Sequence, residues 1–173
     1  PIRTLLVAGR GEIARRVFRA CRELGITSVA VYSEPDTGSV WSRKADRSVP
    51  LRGTSPADTY LSIGAIMAAA GEVGADAIHP GYGFLSENAD FAAACADAGI
   101  IFVGPTPEAM RVMGDKVTAR ALAEVSGIPV APGVDGLGKD IAALAADAAH
   151  IGYPVLVKAS AGGGGRGMRL VRE

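Results

Sequence analysis

The sequence predicts an α/β protein in which helices cover both faces of a parallel sheet, followed by the start of a second domain. Short strand-like runs recur along the chain, at residues 5–8, 27–32, 47–51, 74–78 and 100–103. Segments of helical periodicity separate these runs, and this alternation is typical of a doubly wound parallel sheet. Near the end of the chain, a run of glycines lies between two further apolar segments, which predicts a hairpin outside the sheet.

The composition is that of a globular protein with no excess of either charge. Acidic and basic side chains number 18 each, and 49% of residues are hydrophobic. We therefore expect no general affinity for nucleic acid or membranes, and any anion site must be local.

The apolar runs are too short to span a membrane, and residues 1–4 have no signal-peptide pattern, so we expect a cytoplasmic protein, or a mitochondrial matrix protein in a eukaryote. Cys21 and Cys95 lie on the apolar sides of helical patterns, which predicts buried, reduced thiols.

The first strand is followed by a helix whose apolar residues recur every three to four positions. These residues are Ile13, Val17, Cys21 and Leu24. Gly25 is expected to end the helix, because glycine readily adopts the left-handed conformation found at helix C-termini. The second strand, residues 27–32, then completes a strand–helix–strand unit with parallel strands.

The turn between the first strand and the first helix matches a dinucleotide-binding pattern. Residues 9–14, GRGEIA, fit G-x-G-x-x-A, and Glu34 follows the second strand, where a ribose-binding acid would lie. This match leaves an NAD-linked oxidoreductase as an alternative function. However, Arg10 and Glu12 place charges in the turn, and a carboxylate there would repel a pyrophosphate. We therefore favour a Rossmann-like turn with a structural role.

Three helices are expected between the second and the last strand of the sheet. The first is a short helix at residues 40–46. The second is amphipathic, with apolar positions Tyr60, Ile63, Ile66, Met67 and Ala70. The third follows residue 88 and is expected to face inward through Phe91, Cys95 and Ala98.

The loop at residues 79–88, HPGYGFLSEN, is a candidate ligand site. It follows a strand at its carboxyl end, where open α/β sheets bind their ligands. The glycines on either side of Tyr82 allow a sharp turn that exposes its ring, and Ser86 or Asn88 can cap the next helix. The alternative is a structural turn in which His79 and Tyr82 make ordinary backbone hydrogen bonds.

Lys116 is a candidate phosphate ligand at a helix start. Gly114 is expected to end a short helix, and Asp115 to cap a second helix that runs to about residue 126. Lys116 then occupies the first helical position, where its charge is unfavourable unless an anion is bound. The alternative is a solvated surface lysine.

Residues 127–133 are predicted to connect two domains. A helix is expected after them, with one face formed by Ile141, Leu144, Ala145 and Ala148.

The glycine run at residues 162–165 predicts a phosphate-binding flap. Glycines can bring backbone N–H groups close to an anion, and Lys158 and Arg166 add cations on either side. The run lacks the helix and acid of a dinucleotide fingerprint, the Lys-Ser or Lys-Thr of a Walker A loop, and the later lysine of a kinase glycine loop. The alternative is a flexible linker, although two apolar strands with a cation at the edge are unusual around one.

Four segments recur in one known family: GRGEIA at 9–14, HPGYGFLSEN at 79–88, MGDK at 113–116 and KASAGGGGRGM at 158–168. Together they resemble the amino-terminal part of biotin carboxylase, as found in acetyl-, propionyl- and methylcrotonyl-CoA carboxylases and in pyruvate carboxylase. The resemblance extends along the whole chain in the same order. This sequence departs from the family at Gly9, where asparagine is usual, and at Ala161, where glycine is usual.

The resemblance implies an ATP-grasp ligase that uses ATP, bicarbonate and Mg²⁺ to carboxylate biotin through carboxyphosphate. It assigns residues 1–127 to a Rossmann-like amino-terminal domain and residues 128–173 to an incomplete ATP-grasp lid. It implies ATP contacts from the following residues: Lys116, Lys158, Gly162, Gly163, Gly164, Gly165, Arg166 and Gly167. Tyr82 and Gly83 are implied to lie on the biotin side.

The resemblance also implies what other parts of the enzyme must supply. In the family, the catalytic groups and the metal-binding carboxylates lie downstream, so we expect no catalytic residue and no metal ligand in this chain, and no activity from the chain alone. The implied partners are a biotin carboxyl carrier protein or domain, a carboxyltransferase, and a second copy that binds through the helix of Arg19 and Glu23. The alternative explanation of these two charges is a solvated helix face.

Three alternatives remain open from the sequence. They are another ATP-grasp ligase, the NAD-linked oxidoreductase, and a non-catalytic module that docks on carboxylase partners. The final carboxyl acceptor is also open among acetyl-, propionyl- and methylcrotonyl-CoA and pyruvate, because the second half-reaction takes place elsewhere in such enzymes.

Overall fold

The computed structural model describes residues 1–158 and 167–173. The chain divides into two compact units, Pro1–Met110 and Arg111–Glu173. The first unit thus ends before the segment at residues 127–133, from which the sequence predicts a domain boundary. The domain limits at residue 127 stay a prediction, because the compactness of a unit does not by itself define a functional domain.

The first unit contains a five-stranded parallel sheet. Its strands are β1 (Thr4–Val7), β2 (Thr27–Tyr32), β3 (Arg47–Pro50), β4 (Ala77–His79) and β5 (Ile101–Phe102). They lie in the order β3-β2-β1-β4-β5, so β1 is central and pairs with both β2 and β4. The chain therefore adds β2 and β3 on one side of β1, and then β4 and β5 on the other side. This switch in strand order creates a crevice at the carboxyl edge of the sheet.

Three helices pack on this sheet, one on one face and two on the other. They are α1 (Gly11–Leu24), α2 (Ile63–Val73) and α3 (Ala89–Asp97). Side chains alternate along β1: Leu6 joins the cluster that contains Ile66 of α2 and Phe91 of α3, whereas Val7 joins the cluster of Phe18 of α1. The predicted fold class, a parallel sheet with helices on both faces, is confirmed.

The buried face of α1 differs from the prediction. Ala14, Phe18 and Cys21 are buried, whereas Leu24 is 73% exposed and Ile13 is only partly buried. The predicted and the observed buried sides of α1 share Cys21, but they lie at different angles around the helix axis. The large ring of Phe18 fills the space beneath the sheet, so the helix turns that side inward.

Three smaller predictions are also wrong. The helix expected at residues 40–46 is a single 3₁₀ turn at Ser42–Lys44, because Asp46 accepts hydrogen bonds from the N–H and Oγ of Ser28, at 2.8 and 2.7 Å, and this draws the chain into β3. Tyr60 precedes α2 instead of lying on it. Ala98 is exposed because α3 ends at Asp97.

The second unit contains helices and a short hairpin. α4 (Pro107–Gly114) leads into it, followed by α5 (Lys116–Val125), α6 (Ile141–Ile151), β6 (Val155–Val157) and β7 (Arg169–Val171). β6 and β7 pair antiparallel, with Leu156 opposite Leu170, which confirms the predicted strands on either side of the glycine run. The predicted α6 is present, and the helix face that contains Ile141 and Leu144 is exposed, to 86% at Ile141 and 39% at Leu144.

Both cysteines are free and buried, as predicted. Burial raises the pKa of each thiol, that of Cys95 to about 11, so both stay protonated at neutral pH. Among the residues that the structure describes, no helix is long and apolar enough to cross a membrane.

Candidate functional site at the carboxyl edge of the sheet

The loops that follow β1 and β4 meet backbone to backbone. A Cβ atom placed on Gly81 would lie 3.4 Å from the Gly9 Cα and 3.6 Å from the Ala8 carbonyl oxygen. The Ala8 N–H donates to the His79 carbonyl oxygen at 2.8 Å, which holds the two chains together where they leave the sheet. Gly81 has a φ of +72°, a conformation that favours glycine. The GRGEIA and HPGYGFLSEN segments therefore pack directly against each other.

His79 stabilises this junction. Its Nδ1 accepts a hydrogen bond from the Gly81 N–H at 3.0 Å, so the imidazole must be unprotonated at that atom. Burial lowers the pKa of His79 and favours the neutral form that this bond requires. The structure thus supports the structural interpretation of His79.

Arg10 extends from the β1 loop across a pair of aromatic rings. Its guanidinium carbon lies 5.6 Å from the centre of the Tyr60 ring and 5.7 Å from that of Phe84. The two rings stack on each other with centroids 5.0 Å apart. The Arg10 Nη1 also donates to Asp36 Oδ2 at 3.3 Å. We call Arg10, Asp36, Tyr60 and Phe84 the Arg10 cluster.

Asp36 is the hydrogen-bonding centre of the Arg10 cluster. Its Oδ2 accepts from the Tyr60 hydroxyl at 2.6 Å and from Ser33 Oγ at 3.1 Å. Burial alone would raise the pKa of Asp36, but the hydrogen bonds from Tyr60, Arg10 and Ser33 outweigh it and lower the pKa. Burial and the bond to Asp36 raise the pKa of Tyr60 to about 12. The cluster therefore holds a carboxylate and a neutral phenol at neutral pH.

The same contacts bear on the dinucleotide alternative. Gly11 begins α1 with a φ of +67°, as a Rossmann-like turn requires, but the Arg10 side chain beside it extends to Asp36. The Glu34 Oε1 accepts from the Gly53 N–H at 3.2 Å, so this acid already has a backbone partner. These contacts favour a structural Rossmann-like turn over a ribose and pyrophosphate site.

Tyr82 and Gly83 lie at the outer part of the β4–α3 loop. Tyr82 is 84% exposed, as expected for a ring presented by two flanking glycines. Gly83 has a φ of +77°, and Phe84 has a φ of +45°. The loop ends at Asn88, whose Oδ1 accepts from the Phe91 N–H at 2.8 Å and caps α3.

Lys116 occupies the first position of α5, as predicted. Asp115 caps the helix, since its Oδ1 accepts from the Thr118 N–H at 2.7 Å, and hydrogen bonds from Thr118 lower the pKa of Asp115. Lys116 is exposed at this helix start.

Lys158 is exposed and directly follows β6, while Gly167 precedes β7 with a φ of +75°. Gly162, Gly163, Gly164, Gly165 and Arg166 lie outside the described residues. The hairpin strands thus bring the two ends of the glycine segment together. That Lys116, Lys158 and this segment contact the same phosphate groups stays a prediction.

The described part of the chain contains no group of three or more His, Cys, Asp or Glu side chains that could hold a metal ion.

The sequence interpretation missed the Arg10 cluster. It placed Arg10 in a charged turn and Tyr60 on a helix face, and it gave Asp36 no role, so it had no reason to connect them. One observation could have pointed to the cluster: a buried tyrosine hydroxyl needs a hydrogen-bond partner, and Asp36 lies in a nearby polar turn.

Comparison with known proteins decides which family this architecture represents. Residues 1–110 match the family model described as "Biotin carboxylase, N-terminal domain". This chain belongs to the biotin carboxylase family. Residues 115–173 match a second model, "Carbamoyl-phosphate synthase L chain, ATP binding domain". The resemblance read from the four sequence segments is therefore confirmed.

Curated members of the biotin carboxylase family are similar along the whole chain. Mitochondrial pyruvate carboxylase of Mus musculus is 55% identical over 174 residues, covering 100% of this chain and 15% of its own length. Biotin carboxylase of Nostoc sp. is 53% identical over 169 residues, covering 98% of this chain and 38% of its own length. The chain thus spans well under half the length of these relatives.

Solved structures of biotin carboxylases have the same fold. The biotin carboxylase–beta-gamma-ATP complex from Campylobacter jejuni matches with a TM-score of 0.94 and 47% identity, over 100% of this chain and 39% of that one. Rhizobium etli pyruvate carboxylase matches with a TM-score of 0.90 and 50% identity, over 100% of this chain and 16% of that one.

Proposed function

We propose that this chain is the amino-terminal part of a biotin carboxylase, an ATP-dependent ligase that carboxylates biotin on a carrier protein or domain. The reaction uses ATP, bicarbonate and Mg²⁺ and proceeds through carboxyphosphate. The observation that carries this proposal is the similarity, over the whole chain, to a solved biotin carboxylase–beta-gamma-ATP complex. A related 2-oxoglutarate carboxylase domain from Hydrogenobacter thermophilus was solved with MgADP and bicarbonate, and it is 50% identical to this chain.

Lys116 and Lys158 are assigned to the phosphate groups of ATP. Lys116 is an exposed residue at the start of α5, where the helix dipole also attracts anions. Lys158 lies where β6 meets the glycine segment, so its charge adds to whatever the backbone of that segment binds. Phosphoryl transfer needs this neutralisation, because negative charge builds up on the transferring group.

The glycine segment is assigned to a lid over the nucleotide. Gly162, Gly163, Gly164, Gly165 and Gly167 would let the backbone approach the phosphates, and Arg166 would add a cation. The paired strands β6 and β7 give this lid a defined base. A lid of this kind would exclude water from carboxyphosphate, which is hydrolysed readily.

Tyr82 and Gly83 are assigned to the biotin side of the site. Both lie on the β4–α3 loop, at the carboxyl edge where open sheets bind ligands. The exposed Tyr82 ring offers an apolar surface beside polar backbone groups, which suits a ring system with a polar ureido group.

The proposed partners follow from the same assignment. They are a biotin carboxyl carrier protein or domain, a carboxyltransferase and a second copy of the enzyme. Arg19 and Glu23 lie on the exposed side of α1 and pair with each other at 3.5 Å, which leaves this face available for a dimer contact. We propose a cytoplasmic location, or the mitochondrial matrix in a eukaryote.

Biotin stimulation of ATP hydrolysis by the intact enzyme tests this function. We expect bicarbonate-dependent ATP hydrolysis that free biotin increases, with carboxybiotin as the product. Bicarbonate-independent hydrolysis, or hydrolysis that biotin leaves unchanged, would support another ATP-grasp ligase. Binding of a nicotinamide cofactor that depends on Gly9, Gly11 and Glu34 would support the oxidoreductase instead.

A further inference from the structure

The β4–α3 loop contains a backbone conformation that its neighbours must hold in place. Phe84 is the one non-glycine residue in the described ranges, 1–158 and 167–173, with a positive φ. A bulky residue adopts this conformation only where surrounding contacts compensate for its steric cost. Because Phe84 directly follows Tyr82 and Gly83, whatever fixes Phe84 also fixes the direction in which those two residues leave the loop.

The contacts that hold Phe84 come from other loops. One face of its ring stacks on Tyr60, and the Arg10 guanidinium lies 5.7 Å from its centroid. Tyr60 is 2% exposed and donates its hydroxyl hydrogen to Asp36, so it is a rigid support. Arg10, in the loop after β1, lies against the rings of both Tyr60 and Phe84.

Arg10 has no core role that would explain these contacts. Its side chain is 51% exposed, yet its charge is fixed by Asp36 on one side and by two aromatic rings on the other. A planar guanidinium can lie against the rings and donate to the carboxylate at the same time, which a lysine ammonium cannot do equally well.

We propose that Arg10 is a positioning residue for biotin: it holds Phe84, and through Phe84 it fixes the Tyr82–Gly83 segment in the conformation that receives the biotin ring. This proposal rests on the proposed function, because Tyr82 and Gly83 are assigned to biotin there. The side-chain contacts of Arg10 are with Asp36, Tyr60 and Phe84, all of the same unit. Its effect is therefore on biotin and not on ATP.

Steady-state kinetics of the intact enzyme test this role. In Arg10→Met, which keeps much of the side-chain bulk, we expect the KM for free biotin to rise about five-fold or more, the loss expected from two cation–π contacts. The KM for ATP should stay within about two-fold, and Arg10→Lys should be intermediate. Arg52→Met, which removes an exposed arginine of the same unit, is the matched control and should leave both constants unchanged.

An unchanged KM for biotin in Arg10→Met, or a parallel rise in both KM values, overturns the proposal. If Arg10→Met fails to fold, Arg10→Lys answers the same question, because it keeps the charge opposite Asp36 and loses the planar contact with the rings. A wild-type KM for biotin in Arg10→Lys would then overturn the proposal.

Hydrogen exchange separates this proposal from the proposed function. In the 173-residue chain, amides of residues 82–88 should exchange faster in Arg10→Met than in the wild type or Arg52→Met, while β1 and β4 keep their protection. This result needs no enzyme activity, so it stands even if biotin proves not to be the substrate. Unchanged exchange at residues 82–88 overturns the positioning role even in an active biotin carboxylase.

Discussion

Gly9 and Gly81 face each other across the junction of the β1 and β4 loops, yet only one of them requires glycine. A Cβ atom added to Gly9 would lie 3.5 Å from the Gly81 Cα, and a Cβ atom added to Gly81 would lie 3.4 Å from the Gly9 Cα. Both are ordinary contact distances. The difference lies in the backbone, because Gly81 has a φ of +72° and Gly9 lies outside the left-handed region. A Cβ atom at position 9, such as that of the family's usual asparagine, therefore meets neither a steric clash nor a left-handed backbone.

Alanine substitutions test this difference. Gly81→Ala should lower the free energy of unfolding by about 1–2 kcal/mol, the cost of a left-handed conformation for a residue with a Cβ. Gly9→Ala should leave it unchanged or raise it by up to about 1 kcal/mol, because the unfolded chain loses freedom. Urea unfolding of the 173-residue chain, followed by the fluorescence of Trp41, measures both. Equal losses in the two variants would contradict the account.

The hydrogen bond to His79 predicts a dependence of stability on pH. The pKa of His79 is lower in the folded state than its ordinary value of 6.5. The stabilisation by neutral His79 is therefore fully present above the unfolded pKa and is lost as the pH falls through the folded pKa.

Unfolding of the wild type and His79→Asn, measured between about pH 7.5 and pH 5, checks this prediction above the range where most carboxylates titrate. The asparagine Oδ1 can accept a hydrogen bond from the Gly81 N–H but does not titrate. The free energy of unfolding of His79→Asn should therefore fall less as the pH decreases. An equal fall in both proteins would exclude His79 as the source.

At the scale of elements, the sequence predicts best those strands and helices whose ends are set by residues next to them in the sequence. β2 has the predicted limits, Gly25 ends α1 in the left-handed conformation, and Asp115 caps α5. The errors arise where tertiary contacts decide. The side chain of Asp46 draws residues 40–46 away from a helix, and nothing local distinguishes the predicted stripe of α1 from the one that Phe18 buries.

The candidate site shows the same limit. The sequence indicates the two loops at the carboxyl edge and the two lysines, because glycine runs and helix starts are local patterns. It does not indicate that Arg10, Asp36 and Tyr60 meet, since they come from three separate segments and only the sheet order brings them together.

The start of α3 offers a test at this scale. The sequence leaves Ser86 and Asn88 as alternative caps, and the structure assigns the cap to Asn88. Asn88→Ala should therefore cost about 1 kcal/mol of unfolding free energy, whereas Ser86→Ala should cost much less. Urea unfolding of both variants decides the matter. A larger loss in Ser86→Ala would contradict the assignment.

At the scale of the whole molecule, the residues assigned to biotin and the residues assigned to ATP belong to different compact units. Pro1–Met110 contains the Arg10 cluster and the loop assigned to biotin, whereas Arg111–Glu173 contains both lysines assigned to ATP. The chain spans 15% to 38% of the length of the curated relatives described above. The central claim, that Lys116 and Lys158 act on one nucleotide, therefore has to be tested in the intact enzyme.

Affinity for ATP in lysine variants of the intact enzyme is the most direct test. Lys116→Ala and Lys158→Ala should each raise the Kd for ATP about ten-fold or more, as expected for the loss of a charged hydrogen bond, and the double variant should bind weaker still. Lys139→Ala, which removes a lysine of the same unit that pairs with Asp147 at 2.6 Å, is the control and should retain affinity for ATP. Wild-type affinity after both Lys116 and Lys158 are neutralised would contradict the account.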